Sequence, residues 1–234
     1  MGCTSSYNRR AQKIALALVS LFKSAGVQFG YLGNDEPCCG ESALSIGNQS
    51  YFEEIAAHSM QVFKEKGVKR LLTISPHCYD VFKNHYSDFN PDWQPLHYTQ
   101  YLVDLLEQNR LVFTHPINLK LTFQDPCYLG RLNGEYEAPR RILSAIPGIE
   151  IAEMKNSRQD ALCCGGGGGR MWLETPVGER FSDVRIQQAA DSGAGCLVTA
   201  CPFCLACLED SAKIMATTEI DILDVAELAE MATK

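Results

Sequence analysis

Three widely separated groups of cysteines constrain the fold of this chain more than any other feature. Cys127 stands alone, Cys163-Cys164 is followed by five glycines, and Cys201-Pro202-Phe203-Cys204 comes later, in the pattern C-x35-CC-x36-C-x2-C. A paired cysteine, a C-x-x-C turn and a distant single cysteine suit a metal or iron–sulfur site better than a disulfide framework. The fold is therefore expected to bring these five thiols together.

The same pattern occurs earlier in the chain, as Cys3, then Cys38-Cys39-Gly40, then Ser75-Pro76-His77-Cys78. The matching landmarks are Cys3 with Cys127, Cys38 with Cys163 and Cys78 with Cys204, at offsets of 124, 125 and 126 residues. Such constant offsets predict an internal duplication. We predict a first half over residues 1–118 with a four-cysteine motif and a second half over residues 119–234 with a five-cysteine motif.

Hydrophobic patterning predicts that strands and helices alternate. Predicted strands cover residues 27–32, 70–74, 96–98, 119–123, 149–153, 195–199 and 219–222. One predicted helix carries Ile14, Leu18, Leu21 and Phe22 on one face, and a second carries Phe52, Ile55, Ala56 and Phe63. Further helices are predicted over residues 101–107, 139–145, 179–192 (with Phe181, Val184 and Ala189 inward) and 225–231. The fold class is therefore α/β, with two duplicated parallel-sheet halves and a cleft between them. The thiols then follow the carboxyl ends of strands, where open α/β sheets bind ligands.

The two halves differ in two respects. Ser75 stands where the second half has Cys201, so the first set has only four thiols. No counterpart of the strand over residues 119–123 precedes Cys3. We therefore expect that the chain is a truncated fragment, with a less rigid first site and an unpaired sheet edge.

Composition excludes several classes of protein. A net charge of −7 argues against a nucleic-acid partner. The sequence has no apolar run of the length that spans a bilayer and no visible signal peptide. Eleven cysteines would suit a secreted disulfide scaffold only in a much smaller chain. Here 46% of the residues are hydrophobic, so that a core can form without disulfides, and the number of cysteines is odd. These features predict a cytoplasmic protein, peripheral to a membrane at most through a partner subunit.

Four stretches carry a resemblance to a known family. They are Glu36-Pro37-Cys38-Cys39-Gly40, Asp125-Pro126-Cys127-Tyr128-Leu129-Gly130-Arg131, residues 163–172, and Cys201-Pro202-Phe203-Cys204. The chain resembles the cysteine-rich, or CCG, domain of heterodisulfide reductase catalytic subunits. Related domains occur in iron–sulfur oxidoreductases of glycolate, lactate and glycerol-3-phosphate metabolism. The resemblance implies an electron-transfer subunit that reduces a disulfide or a similar small substrate.

The resemblance also implies cofactors and partners. A CCG motif can hold a [4Fe–4S] cluster, which can be of a non-cubane type. By position, the second-half ligands would be Cys127, Cys163, Cys164, Cys201 and Cys204, and the first-half ligands Cys3, Cys38, Cys39 and Cys78. Ser75 departs from the pattern, so the first half is expected to hold either a second cluster or zinc. Electrons are expected from a ferredoxin-like or flavoprotein subunit, in some systems with a membrane subunit, and the small-molecule partner is a disulfide.

The residues themselves leave alternatives open. Five thiols exceed the four of a tetrahedral zinc site, which favours a cluster in the second half, whereas four thiols in the first half decide nothing. One alternative is an electron relay between a flavoprotein dehydrogenase and a membrane carrier, and another is a zinc-stabilised structural module. A dithiol enzyme that uses only Cys201 and Cys204 would leave the other matched thiols unexplained.

Residues around the motifs have weaker expectations, and none is assigned as catalytic. The glycines are expected to let the backbone approach a cluster or substrate, because no G-K-S/T pattern for phosphate follows them. Arg170 and His77 are candidates for substrate contact, His77 equally for a hydrogen-bonded turn residue. Cys196 and Cys207 are expected to be buried small hydrophobes, and Met171 and Trp172 to be packing residues. Asp125 and Asp160 would bond the cysteine loops or end strands, and His58, His85, His97 and His115 would lie on the surface or in the core.

Overall fold

A computed structural model describes residues 1–176, 178–215 and 220–233. These residues form a mixed α/β fold with two parallel sheets. The first half contains α1 (Cys3–Tyr7), α2 (Gln12–Ser24), α3 (Glu41–Ser45), α4 (Gln49–Glu65), β1 (Leu71–Thr73), α5 (Pro76–Asn84), β2 (Pro95–His97) and α6 (Tyr98–Glu107). The second contains β3 (Leu119–Gln124), α7 (Glu137–Ala145), β4 (Ile149–Ile151), α8 (Phe181–Asp191), β5 (Cys196–Thr199), α9 (Pro202–Met215), β6 (Asp221–Asp224) and α10 (Val225–Thr233).

The second-half sheet is the larger of the two. Its strand order is β4-β3-β5-β6, and every neighbouring pair is parallel. All four residues of β5 are buried, as expected for a central strand that is covered on both faces. Because the strands are parallel, the loops that carry Cys127 after β3 and Cys201 after β5 emerge at the same edge of the sheet. The fold thus places these thiols where the sequence predicts them.

The first-half sheet repeats part of this arrangement. Strands β1 and β2 pair in parallel, with Leu71 opposite Pro95 and Thr73 opposite His97. The offset of 126 residues that relates Cys78 to Cys204 carries β1 onto β5 and β2 onto β6. The duplicated α/β halves predicted from the cysteine spacing are therefore present.

The two halves pack as related copies do around an approximate two-fold axis. Helix α2 packs on α10, and α7 packs on α6. Helices α2 and α7 hold equivalent places in the two halves, and so do α6 and α10. The Tyr98 hydroxyl donates to Oδ1 of Asp224, its own counterpart, at 2.6 Å. In such a packing one patch meets the other copy's equivalent patch, and residues on the axis meet their counterparts. This packing brings the starts of α5 and α9 together at the cysteine turns.

The strand predicted over residues 27–32 does not form. In the second half, the strand after the first long helix pairs with β3, which has no counterpart in the described part of the first half. Residues 27–32 instead line a cavity of about 400 Å³, which residues 70–74 also line. Without a strand between them, residues 27–32 have no ladder to join and remain irregular.

Helix α8 buries a different face from the predicted one. Phe181 and Val184 are 56% and 42% exposed, although Ala189 is fully buried as expected. The inward positions include polar side chains, and Ser182 bonds to Ser211 at 2.6 Å. A purely hydrophobic pattern could not reveal this face. Of the predicted strand 219–222, Glu219 lies outside the described residues and the rest is close to β6.

The remaining predicted elements are found with small shifts of their ends. The apolar faces of α2 and α4 are buried at Ile14, Leu18, Leu21, Phe22, Phe52, Ala56 and Phe63. Within the described ranges, no helix is both long enough and apolar enough to cross a membrane.

Candidate thiolate site

The five second-half thiols predicted as a set lie next to one another. Cys127 Sγ is 4.0 Å from Cys163 Sγ. The chain of thiol contacts continues from Cys163 to Cys164, from Cys164 to Cys204 and from Cys204 to Cys201. Cys164, Cys201 and Cys204 are buried, whereas Cys127 and Cys163 are half-buried. Three loops that are remote in sequence thus contribute to one thiol cluster.

The four first-half thiols repeat this chain of contacts. Cys3 contacts Cys38, Cys38 contacts Cys39, and Cys39 contacts Cys78. Cys39 and Cys78 are buried while Cys3 and Cys38 are exposed, so this set is the more open of the two. The pKa of Cys3 in the first set and the pKa of Cys127 in the second are both raised. The main cause is the neighbouring thiol, Cys38 or Cys163, and burial is the second cause.

The thiols of each set are arranged in a chain of neighbouring contacts rather than around one point. Within residues 1–176, 178–215 and 220–233, no three His, Cys, Asp or Glu side chains converge closely enough to hold a metal ion as they are placed. A cluster of several irons needs thiolates spread over its own diameter rather than at one point. The donor set, five soft thiols in one chain of contacts, suits a cluster of this kind.

The glycine of each Cys-Cys-Gly motif fixes the sulfur before it. Gly40 and Gly165 both have a φ of +83°, a left-handed conformation that other residues rarely adopt. In this conformation the Gly165 N–H donates to Cys163 Sγ at 3.3 Å, and the Gly40 N–H donates to Cys38 Sγ at 3.4 Å. The prediction of backbone N–H groups that point at sulfur thus has two matching instances in the structure.

The turn that carries Cys127 is held by a buried ion pair. Arg140 on α7 donates two hydrogen bonds to Asp125, at 2.6 and 2.9 Å, and further bonds to Glu153. Asp125 Oδ2 also accepts a hydrogen bond at 2.7 Å from the backbone N–H of Arg158, in the loop that leads to Cys163. Asp125 therefore joins the Cys127 turn to the Cys163 loop, as predicted for an acceptor of the cysteine loops.

His77 lies between the two thiol sets. Its ring stacks on Tyr128 with centroids 3.9 Å apart, and on Phe203, its own counterpart in the second half, at 4.3 Å. His77 and Phe203 also line the small pocket of the first-half thiols, so this stack forms the wall between the sets. His77 was predicted as a substrate contact or a turn residue, and its 5% exposure favours a buried role.

The charge of His77 is set by its neighbours. Nδ1 lies 3.0 Å from Glu41 Oε1, a close ionic contact without an aligned hydrogen bond. Burial lowers the pKa of His77, but contacts with Cys201 and Glu41 outweigh burial and raise the pKa to about 10. Burial likewise opposes the Cys201 thiolate, and hydrogen bonds from Cys204 and His77 prevail and lower the pKa of Cys201. His77 from the first half therefore supports a thiolate of the second.

Ser75 has a structural role in place of the missing thiol. Its side chain accepts a hydrogen bond from the His77 N–H at 3.3 Å as the N-cap of α5, and Pro76 is the first residue of the helix. Serine is a favoured N-cap and proline a favoured first residue. Cys201 precedes Pro202 in the same way at the start of α9.

Sequence reasoning missed the position of Cys207. It is half-buried rather than buried, and it contacts Cys164. A methyl group at Gly166 would lie 2.7 Å from Cys207 Sγ, so the absence of a side chain there makes room for this thiol. The signal was present, because Cys201, Cys204 and Cys207 recur at three-residue spacing along one helical face. Cys196, by contrast, is buried in β5 as expected.

Sequence reasoning also missed Arg185, which is fully buried. Its Nε donates to Gln124 Oε1 at 2.6 Å, and its Nη2 has no partner. Among the charges that act on it, Asp125 comes first, and Cys204 and Cys164 follow. Gln124 links this guanidinium to the Cys163 loop, because its Nε2 donates to the carbonyl oxygen of Leu162 at 3.0 Å. No sequence signal distinguishes this arginine from an ordinary surface residue of a helix.

Several predicted residues lie apart from the thiols. Arg170 is exposed on a short turn, and its Nη2 is 3.5 Å from Thr175 Oγ1, so its substrate role stays a prediction. Trp172 is 67% exposed, which makes the prediction of a packing residue wrong, whereas Met171 packs partly against the core. Asp160 is exposed. The other histidines lie as predicted, with His97 in the core and His58, His85 and His115 on the surface.

Comparison with protein families gives one clear assignment. The family model described as "CCG: Cysteine-rich domain" matches residues 1–83 and 121–209, one segment in each half. The chain belongs to the CCG cysteine-rich domain family. Both matched segments contain a Cys-Cys-Gly motif whose glycine N–H points at a sulfur.

Three relatives illustrate the similarity. The chain is 40% identical over 229 residues to the probable iron-sulfur-binding oxidoreductase FadF of Bacillus subtilis (strain 168), covering 97% of this chain and 32% of the relative. It is 37% identical over 235 residues to EtfAB:quinone oxidoreductase of Syntrophomonas wolfei, covering 97% and 33%. It is 32% identical over 233 residues to one subunit of the dihydromethanophenazine:CoB–CoM heterodisulfide reductase of Methanosarcina barkeri, covering 97% and 56%. The chain thus spans a third to about half of the length of these relatives.

Proposed function

We propose that this chain is an iron–sulfur electron-transfer subunit of an oxidoreductase complex, which reduces a disulfide or a similar small substrate. The observation that carries the proposal is the second thiol set, in which Cys127, Cys163, Cys164, Cys204 and Cys201 are linked in one chain of contacts. Membership of the CCG family and the names of the relatives support it.

Specific residues would hold the cofactor. In the second half these are Cys127, Cys163, Cys164, Cys201 and Cys204, and the bound group, a [4Fe–4S] cluster, would supply one-electron redox chemistry. In the first half Cys3, Cys38, Cys39 and Cys78 would hold either a second cluster or zinc. The Gly40 and Gly165 N–H groups and the buried Arg185 favour sulfur in its anionic form.

A relay role is the second candidate, because a relative with 37% identity is named EtfAB:quinone oxidoreductase. In that role the chain would pass electrons between a flavoprotein and a membrane carrier without a substrate of its own. Partner subunits of either kind, a peripheral position at a membrane, and the division of the chain at residues 118 and 119 remain parts of the proposal.

Anaerobic purification and reconstitution test the function. We expect iron and acid-labile sulfide in the parent protein, and an electron paramagnetic resonance signal in one redox state. A protein that retains only zinc would contradict an iron–sulfur role. Addition of a small disulfide to the reduced protein separates the two candidates, because a disulfide reductase is reoxidised by it and a relay is not.

A further inference from the structure

The cavity of about 400 Å³ in the first half corresponds to the place that β3 fills in the second. Strand β3 lies between β4 and β5 and pairs in parallel with both. By element order, residues 27–32 are the counterpart of β4, and β1 is the counterpart of β5. Residues 27–32 and 70–74 both line the cavity, and within the described residues no strand pairs with both segments. We call this cavity the strand slot.

The backbone beside the strand slot has free hydrogen-bonding groups. Strand β1 pairs with β2 alone, whereas its counterpart β5 pairs with two strands. No hydrogen bond joins the backbone of residues 28–31 to any other described residue. Unpaired N–H and C=O groups at the edge of a sheet are a template for a further strand.

The side chains of β1 are less covered than those of its counterpart. Leu71 and Leu72 are half-buried, whereas Leu197 and Val198 in the equivalent positions of β5 are fully buried. A strand inside a parallel sheet is normally covered on both faces. The first half therefore lacks material that β3 supplies in the second, where the last four residues of β3 are all buried.

The walls of the strand slot are largely apolar. Buried side chains from three helices line it, namely Ala15, Leu18 and Phe22 from α2, Phe63 from α4 and Phe82 from α5. In the second half, Leu121 and Phe123 of β3 are fully buried at the corresponding place. An occupant that matches these walls must carry apolar side chains in the same alternation.

The occupant also needs both of its edges free, because β3 is paired on two sides. A folded second copy cannot offer such a strand. Its β3 and β5 are already paired on both sides, and β1, β2, β4 and β6 each have one neighbour within the described residues. An extended segment that belongs to no sheet meets the requirement. The chain covers 32% of the relative FadF, so most of that relative lies outside the match.

We propose that the strand slot binds an extended apolar segment of polypeptide from outside residues 1–234, which adds to β1 as a parallel strand in the way that β3 adds to β5. Main-chain hydrogen bonds would supply the affinity, and alternate side chains the specificity. The register follows from the second half, where residues 122–124 lie opposite residues 197–199. At the offset of 126 residues, the occupant has three residues opposite Leu71, Leu72 and Thr73.

The strand slot reaches the first thiol set, since Gly2, Cys39 and Cys78 are among the residues that line it. The carboxyl end of β3 leads to Cys127, so the carboxyl end of the occupant is expected beside Cys3, the counterpart of Cys127. A bound strand would therefore complete the first-half sheet next to the more open of the two thiol sets.

The test grafts a strand onto the protein. A copy of residues 119–124 is placed directly before Met1, so that its last residue is three positions from Cys3, as Gln124 is from Cys127. Hydrogen exchange followed by NMR compares the amides of residues 28–31 and 71–73 in the parent and in the graft. We expect the graft to slow the exchange of these amides by about tenfold or more, while the amides of β5 keep their rates.

A graft that carries T122P is the matched control. Proline removes an N–H from the ladder and is not tolerated in a central strand, whereas the apolar side chains of the graft remain. This control should leave the exchange rates near those of the parent. Equal slowing in both grafts would overturn the proposal, and so would a failure of the unaltered graft to slow exchange at all.

Two further measurements on the parent separate other occupants. If exchange at residues 28–31 and 71–73 slows as sedimentation shows dimers forming, a second copy fills the strand slot and the proposal is overturned. If decanoate, a small apolar molecule, slows these amides as much as the graft does, the cavity is a general apolar site, which overturns the proposal too. None of these measurements needs a bound cofactor, so the inference and the proposed function can fail independently of each other.

Discussion

At the scale of single residues, the CCG motif directs the backbone N–H of its glycine toward a cysteine sulfur. Gly40 and Gly165 share a φ of +83° and direct equivalent bonds to Cys38 and Cys163. The agreement of this geometry between two copies with different surroundings indicates that the motif, rather than the environment, sets it. The glycine is needed because a side chain at this φ is strained.

This account predicts that G165A destabilises the protein and weakens cofactor retention. Alanine in the left-handed region costs about 1–2 kcal/mol, and relief of that strain would turn the N–H away from Cys163 Sγ. Urea unfolding of the cluster-free protein measures the first effect, and iron content after reconstitution measures the second.

G167A is the matched control within the same glycine run. Gly167 has no left-handed φ, and a methyl group there would lie 3.4 Å from the nearest atom, on the His77 ring. Its unfolding free energy and iron content should remain close to those of the parent. Equal losses in both variants would show that the glycine run matters only for space.

The sequence could predict the thiol sets but not their charged surroundings. The cysteine spacing is informative because matched spacings in two halves of a chain seldom arise by chance. The thiols that this spacing groups do lie in two chains of contacts. Arg185 and Cys207 escaped because their roles depend on which helical face turns toward the thiols. That face is decided by tertiary packing against polar groups such as Gln124, which hydrophobic patterns do not record.

At the scale of elements, α7 is bound to the end of β3 by Arg140. The Arg140 and Asp125 side chains are 7% and 3% exposed, and their double hydrogen bond holds the turn that leads to Cys127. The position of Cys127 therefore depends on a helix that carries no thiol.

We predict that R140M costs about 3–5 kcal/mol of unfolding free energy, because it leaves Asp125 buried without its partner. The neighbouring R141M is the control, since Arg141 is 53% exposed and its pair with Glu107 lies at the surface. R141M should change the stability by no more than about 0.5 kcal/mol. Similar losses in the two variants in a denaturant titration would refute a special role for the buried pair.

The junction of β2 and α6 predicts a dependence of stability on pH. His97 is fully buried, with Nδ1 2.8 Å from Thr99 Oγ1 and Nε2 3.1 Å from the carbonyl oxygen of Ile74. Burial lowers the pKa of His97 to about 3, against about 6.5 in an unfolded chain. The unfolded chain binds the proton first, so this contribution to stability is full above pH 6.5 and falls as the pH falls toward 3.

The loss between pH 7 and pH 5 amounts to about 2 kcal/mol for this group. H97Q cannot take up the proton, so its stability should fall by that much less than the parent's over the same interval. H58Q, at an exposed histidine of α4, should follow the parent. Parallel pH profiles for the parent and H97Q would contradict the assignment of a neutral, buried His97.

Elements were predictable where a periodic pattern and a partner coincide. The apolar faces of α2 and α4 were visible in the sequence and are buried. Residues 27–32 have strand-like composition, but a strand is defined by its neighbours, and none lies beside them in the described residues. Propensity alone could not foresee this loss of pairing.

At the scale of the whole molecule, the duplication places the two thiol sets on either side of the stacked rings of His77 and Phe203. The offsets between cysteines predicted two copies, and α2 on α10 with α7 on α6 shows how the copies face each other. The sequence could not predict that counterparts would touch, as Tyr98 does Asp224 and His77 does Phe203. Contacts of this kind depend on where the approximate axis passes, which no local pattern encodes.

The central claim is that each copy collects thiolates around one bound centre and that the second copy holds an iron–sulfur cluster. The most direct measurement is electron paramagnetic resonance, with iron and sulfide analysis, of the anaerobically reconstituted protein and of C164A beside C196A. We predict a cluster signal in the parent and in C196A, whose altered cysteine lies in β5 away from the set, and loss or change of the second-half signal in C164A. A parent protein without sulfide-bound iron, or a C164A signal identical to that of the parent, would contradict the account.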